Sequence, residues 1–124
     1  MNHPTLNYVE LPATDLAATK AFYTDAFGWA WTDYGPTYAS ADASGLEVGL
    51  TTEAAPAPTP TDDDESSIGP LLLFQSHELD DALASVTAGG GRIVTQPFDY
   101  PGGRRFHFSD PSGNVLGVDR PDTA

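Results

Sequence analysis

Glu10, Arg105 and His107 are the side chains of this sequence best suited to move a proton or hold an ionic ligand. Histidine titrates nearest to neutral pH. A carboxylate withdrawn from water has its pKa raised toward the same range, so Glu10 and His107 could act as base and acid. Arg105 offers a planar fork of donors to a carboxylate or phosphate. Each also has a plainer reading: a solvated rim carboxylate, a histidine bonded to a neighbour, and a surface charge answering an acidic exterior. His3, near the start of the sequence, and His77, in the first turn of a helix, have no partner nearby in sequence. There is no cysteine, which excludes disulfides, thiolate metal sites and thiol nucleophiles. The run "AGGGR" follows a helix and does not open one, the wrong context for a phosphate loop.

The elements that must position these residues can be read from the apolar pattern. The 124 residues, 40 % of them hydrophobic, suit one globular domain with a real core. "LNYVELPATDL" reads as a strand ending at Pro12, with Thr14 or Asp15 as helix cap. In "LAATKAFYTDAFG", Leu16, Tyr23 and Phe27 with Phe22 and Ala26 make one apolar face, and Gly28 is a left-handed stop. "WAWTDYG", "PTYASADAS" and "GLEVGLTT" are three short strands. Within them Trp29, Trp31 and Tyr34 suit core and sheet positions better than a stacking platform. The proline-rich and acidic stretch from Glu53 to Pro70 is a solvated connector.

The pattern then restarts. "LLLFQS" is a strand, and Ser76 is placed to cap the helix of "HELDDALASVTA". Leu79, Leu83 and Val86 form its buried stripe, and Gly89, Gly90 and Gly91 end it. "RIVTQPF", "RRFHFS" and "NVLGVD" are the last strands, and Asp110-Pro111-Ser112-Gly113 suits a type I turn. Laying Leu16 on Leu79 brings Gly28 onto Gly91, Tyr8 onto Leu71 and Glu10 onto Leu73, a weak internal repeat. Module one spans about 5–52, the connector 53–70 and module two about 71–120, within a single domain over 1–124.

The net charge of −13 repels phosphate backbones and anionic lipids, so neither nucleic acid nor a membrane surface is an expected partner. No basic-apolar leader and no long apolar run is present. Export and a membrane span are therefore not expected, and the cytoplasm is the default location.

"VELPATDLAATKAFYTDAFGW" and "FHFSDPSGNVLGV" resemble the opening of the first module and the close of the second in the vicinal oxygen chelate superfamily. That superfamily includes glyoxalase I, fosfomycin- and bleomycin-resistance proteins and extradiol dioxygenases. The resemblance implies an α+β fold, two β-α-β-β-β modules making a half-open curved barrel with helices outside, and commonly a homodimer. Metal-dependent relatives take a ligand from the first and last strand of each module. By resemblance those positions are Tyr8, Leu71, Gly117 and a residue at or near Val48 to Leu50, with Glu47 just off it. Leucine and glycine offer no lone pair, so the standard chelate site is absent and no cofactor is expected. A divalent ion would need an unusual set such as Glu10, His107 and Glu47.

With Tyr8 facing the cavity, strand alternation brings Glu10 to the same side and sends Val9 and Leu11 beneath the helix. Leu71 and Leu73 become an apolar wall. Phe106 and Phe108 enter the core, which leaves Arg105, His107 and Ser109 on the other face. The resemblance then implies a glyoxalase-related enzyme of lyase or isomerase type working by proton transfer. Glu10 and His107 handle the proton, Tyr8 and Arg105 orient an oxygenated or anionic small molecule, and Tyr100 lines the mouth. The alternative is a non-catalytic protein that sequesters a small molecule, as bleomycin-resistance proteins do.

Overall fold

In a computed structural model of the protein, residues 3–43, 45–55 and 70–122 are described. The expected connector therefore lies, over 56–69, outside the described residues. The first half folds as β1 (Tyr8–Pro12), α1 (Leu16–Phe27), β2 (Trp31–Asp33), β3 (Tyr38–Asp42) and β4 (Glu47–Thr51). The second half repeats this with β5 (Leu73–Gln75), α2 (Leu79–Ala88), β6 (Arg92–Tyr100), β7 (Gly103–Ser109) and β8 (Val115–Pro121). Each half makes a four-stranded sheet, in the orders β1-β4-β3-β2 and β5-β8-β7-β6. The first and last strands of each half run parallel, and the remaining pairs are antiparallel. The fold is thus the expected α+β duplication, with two separate sheets and no closed barrel.

Local chemistry sets the helix ends. Asp15, not Thr14, caps α1: its backbone is extended and its carboxylate accepts from the Ala18 amide at 3.0 Å. Gly28 ends the helix in the left-handed region, φ 75°, with its amide donating to the Thr24 carbonyl,. Asp15→Ala should destabilise the fold by about 1 kcal/mol. A urea midpoint lowered at constant m-value reports that loss, and an unmoved midpoint would mean that water serves the helix end equally well. Ser76 does not cap α2. The helix starts at Leu79, so Ser76 lies too far upstream of its free amides and accepts instead from the Glu78 amide at 3.1 Å.

One apolar core takes residues from both sheets and both helices. It holds Leu11, Val48 and Leu50 of the first sheet, Phe22 and Tyr23 of α1, Val86 of α2, and Phe106, Phe108, Leu116 and Val118 of the second sheet. Val9 packs at its margin, so the alternation expected for β1 and β7 holds. Trp29 precedes β2 and is buried, stacked on Tyr23 at 4.8 Å between ring centroids. Tyr34 departs from its expected place in the core or sheet: it follows β2 and is 63 % exposed.

The closing turn of the second half joins the halves. Gly113 donates its amide to the Asp110 carbonyl at 2.9 Å, closing the expected turn,. Asp110 is buried, and its carboxylate accepts from the amides of Ser112 (2.9 Å) and Asn114 (3.0 Å), from Asn114 Nδ2 (2.9 Å) and from the Tyr23 hydroxyl (2.8 Å). Asn114 Nδ2 also donates to the Pro12 carbonyl at 2.7 Å, and Ser112 shares a hydrogen bond with Thr19 at 2.6 Å. The expected structural role of this turn is realised as a polar seam to β1 and α1.

Candidate functional site

The polar side chains lie on the sheet faces turned away from the core. On the first sheet, Tyr8 pairs with Glu47 and Glu10 with Gly49, while β3 sets Ser40 opposite Gly49 and Tyr38 opposite Thr51. The Tyr38 hydroxyl donates to Glu10 Oε2 at 2.9 Å and is also hydrogen-bonded to the Tyr8 hydroxyl. Glycine at position 49 makes this possible, because a Cβ there would overlap both hydroxyls and lie 2.8 Å from Tyr38 Cζ. Loss of hydration, then the bonds to Tyr8 and Glu10, push the Tyr38 hydroxyl well above its usual range,. Glu10 is exposed, whereas Tyr8 and Tyr38 are half-buried.

On the second sheet, Leu73, Gly117, His107 and Thr95 stand in one row, and Gln75, Asp119, Arg105 and Phe98 in the next. His107 is only 4 % exposed and lies edge-on to the Phe98 ring at 5.5 Å. The Arg105 guanidinium sits 4.9 Å from the Tyr100 ring centroid and 5.4 Å from that of Phe98, a cation–π cradle. Tyr100 is fixed in turn by donating its hydroxyl to Asp119 at 2.9 Å. Loss of hydration and Asp119 raise the pKa of that hydroxyl, and Arg105 opposes the rise. Among the described residues Arg105 forms no ion pair, and its Nε is buried without a hydrogen-bond partner. Arg104, next in sequence, points the other way and pairs with Asp99 at 2.9 Å.

Register narrows the one uncertain position among the ligand sites that the resemblance implies. Glu10 opposite Gly49 in the first half matches Leu73 opposite Gly117 in the second. The uncertain position between Val48 and Leu50 is therefore Gly49, and the four positions carry Tyr8, Gly49, Leu71 and Gly117. Three of them have no donor atom. Leu73 Cδ2 also lies 2.6 Å from where a Cβ at Gly117 would stand, so it fills the space a longer side chain would need. These residues do not fit a divalent ion. Among the described residues, no group of three or more His, Asp or Glu side chains is placed to hold one.

The structure gathers the expected site residues into two groups. Tyr8 and Glu10 belong to the first sheet, with Arg105, His107 and Tyr100 on the second. No hydrogen bond, ion pair or ring contact among the described residues joins Tyr8 or Glu10 to Arg105 or Tyr100. Leu71 and Leu73 line an apolar cavity of about 300 Å³ with Leu6, Val9, Leu46 and Phe74, between the edges of the two sheets. Three participants were not singled out from sequence: Tyr38, Phe98 and Asp119. Period-two alternation gives Asp119 the same face as Gly117, but placing Tyr38 and Phe98 needs the register between strands.

The family model of the Glyoxalase/Bleomycin resistance protein/Dioxygenase superfamily matches residues 5–118. The chain belongs to that superfamily. Among curated proteins, this superfamily member is 33 % identical over 122 residues to "Putative glyoxylase CFP32" of Mycobacterium bovis and of Mycobacterium tuberculosis. The match takes in 92 % of this chain and 44 % of each relative, so the chain spans less than half the length of the curated relatives it matches. Among solved structures it resembles a glyoxalase-related enzyme from Fulvimarina pelagi (TM-score 0.77, 19 % identity, 95 % of this chain and 88 % of the other). It also resembles the fosfomycin resistance protein FosX from Listeria monocytogenes (TM-score 0.76, 18 % identity, 96 % and 94 %). At those identities the likeness establishes the superfamily's fold. No helix among the described residues is long and apolar enough to cross a membrane.

Proposed function

We propose that residues 1–124 form one ligand-binding domain of a glyoxalase-related enzyme, lyase or isomerase in type, that transfers a proton on a small oxygenated anion. The observation that carries this reading is Arg105. In a chain of net charge −13, its guanidinium is framed by two aromatic rings and forms no ion pair among the described residues. The nearest carboxylate on its row, Asp119, is taken up by the Tyr100 hydroxyl, and a cation held there without an ion pair suits an anionic guest.

Arg105 anchors the anion and Tyr100 shapes the entrance beside it. Tyr8 orients a ligand oxygen, Glu10 takes the proton and His107 returns it. Leu71 and Leu73 supply the apolar side, a common arrangement for holding a small organic molecule. No metal-dependent step is part of this reading. Tyr8 and Glu10 lie on one sheet and Arg105 and Tyr100 on the other, with no hydrogen bond, ion pair or ring contact between these pairs among the described residues. A second copy that brings one chain's first sheet over the other's second sheet would therefore complete the site. A homodimer is the assembly this reading expects, and the cytoplasm is its expected location. One Listeria FosX structure is complexed with Mn(II) and a dihydroxypropylphosphonic acid, which guides the choice of probes.

Thermal unfolding in the presence of phosphonates, lactate and oxalate, with bleomycin as the cationic comparison, tests the reading. An anion at about a hundredfold its Kd adds about 2.7 kcal/mol, a rise in Tm of about 10 °C for a domain of this size. The rise should vanish in Arg105→Gln, and NMR-monitored consumption of the anion should vanish in Glu10→Gln. Stabilisation by bleomycin alone, with nothing consumed, would replace the enzyme by the sequestering protein.

A further inference from the structure

Tyr38 lies outside the expected site, yet it is the residue through which Tyr8 and Glu10 communicate. Its hydroxyl touches both, donating to Glu10 and taking the Tyr8 hydroxyl on its other side. The order is fixed by chemistry. A carboxylate is acceptor-only when ionised, whereas a phenol both donates and accepts. With Glu10 ionised, the chain therefore runs from Tyr8 O–H to the Tyr38 oxygen, and from Tyr38 O–H to Glu10 Oε2. Half-buried Tyr8 stands at one end, and Glu10, open to solvent, at the other. The bare Cα of Gly49 beneath the hydroxyls lets the three groups close up.

We propose that Tyr38 is a proton-relay residue that carries a ligand's proton from Tyr8 to Glu10. The proposal rests on Glu10 being the base of the reaction above. In the step, the ligand's acidic X–H bond breaks and its proton goes to the Tyr8 oxygen. The Tyr8 proton moves to the Tyr38 oxygen, and the Tyr38 proton to Glu10 Oε2. The deprotonated ligand then rearranges or eliminates and takes a proton back from His107, and the two tyrosines are regenerated. Neutral Glu10 gives its proton to water, from which His107 is reprotonated. Charge is conserved, since one carboxylate is neutralised as the ligand gains one negative charge. Tyr38 acts through its neighbours and is a positioning residue, not a catalytic one.

The other titratable groups on this face are Glu47 of β4, paired with Tyr8, and Asp42 of β3, paired with Glu47. Tyr34 lies beside Tyr38, 6.3 Å between ring centroids. A test must separate these from Glu10. The five tyrosines labelled with ¹³C at Cζ give resolvable signals that can be titrated through the carboxylate range in the intact chain, with no ligand added. In the wild type, the Tyr8 and Tyr38 signals should step together at one midpoint. Glu10→Gln should abolish both steps. Tyr38→Phe, which keeps the ring, should abolish the step at Tyr8, and Gly49→Ala should uncouple the pair by forcing the hydroxyls apart.

A Tyr8 step that survives Tyr38→Phe, a pair of steps that survives Glu10→Gln, or no step in the wild type would each overturn the relay. These readouts need no substrate, so they separate the two claims. A coupled pair in a protein that consumes nothing leaves the hydrogen-bonded wire and removes the proton-transfer enzyme. Turnover that needs Glu10 and is indifferent to Tyr38→Phe keeps the enzyme and removes the relay.

Discussion

Asp110→Ala should destabilise the protein by about 3–5 kcal/mol, because it orphans several buried donors at once. Two backbone amides, the Asn114 amide group and the Tyr23 hydroxyl all point at this one carboxylate. None gains a replacement when a methyl group takes its place, and Asp110 is too buried for water to reach easily. Urea unfolding should show the loss as a large fall in midpoint. A fall of less than about 1 kcal/mol, no more than one ordinary hydrogen bond, would mean that the turn reorganises and that the network is not what holds it.

A pH series adds a second reading. Burial raises the Asp110 pKa above the ordinary carboxylate value, against the lowering effect of its hydrogen bonds to Asn114, Tyr23 and Ser112. The folded protein therefore binds this proton more readily than the unfolded chain. The corresponding stability is fully present below the ordinary carboxylate range and is lost as pH rises through the folded value. Asp110→Asn should remove that slope, leaving a flatter profile over the same window. Tyr23 buries its hydroxyl against the same carboxylate, and burial, followed by that charge, raises its pKa well above the usual range, so it stays a donor throughout.

Gly103→Ala should cost about 2–3 kcal/mol, at the upper end for overpacking a tight site. A Cβ there would run into the Arg120 carbonyl oxygen and come within 3.0 Å of Pro121 Cα. These are backbone atoms that cannot rotate aside, unlike the Leu73 methyl that crowds Gly117. Relief requires β7 and β8 to part at their Gly103–Pro121 pair, where the Asp122 amide also donates to the Gly102 carbonyl at 2.8 Å. Tyr100 is paired with Gly103 across the β6–β7 turn, so the cradle around Arg105 should loosen as well. Denaturant unfolding measures the first effect, and loss of anion-dependent stabilisation the second. A substitution costing under about 0.5 kcal/mol, the size of a neutral surface change, would show that the strand ends give way freely.

Much of the architecture was legible because it depends on short-range pattern. The apolar face of Leu16–Phe27, the left-handed Gly28 and the Asp-Pro-Ser-Gly turn each follow from local chemistry. Alternation alone sent Phe106 and Phe108 inward and Arg105 and His107 outward. The site was less legible, since its parts meet through strand pairing. Tyr38 reaches Glu10 only because β1 and β3 flank β4 in register and Gly49 leaves the space between them open. Phe98 reaches Arg105 across a register shift in β6 that no periodicity announces. The cap of α2 was misplaced for a similar reason: Ser76 satisfies a local turn before the helix has begun.

The seam between the halves is one-sided. Thr19 and Tyr23 of α1 receive Ser112 and Asp110, while the positions of α2 that answer to them in the repeat hold Ala82 and Val86. The first half thus carries a socket that the second half lacks. Two second halves would strand a buried carboxylate with no phenol to meet it. Despite their shared pattern the two halves are not interchangeable, and which helix receives the turn is a property of the sequence itself.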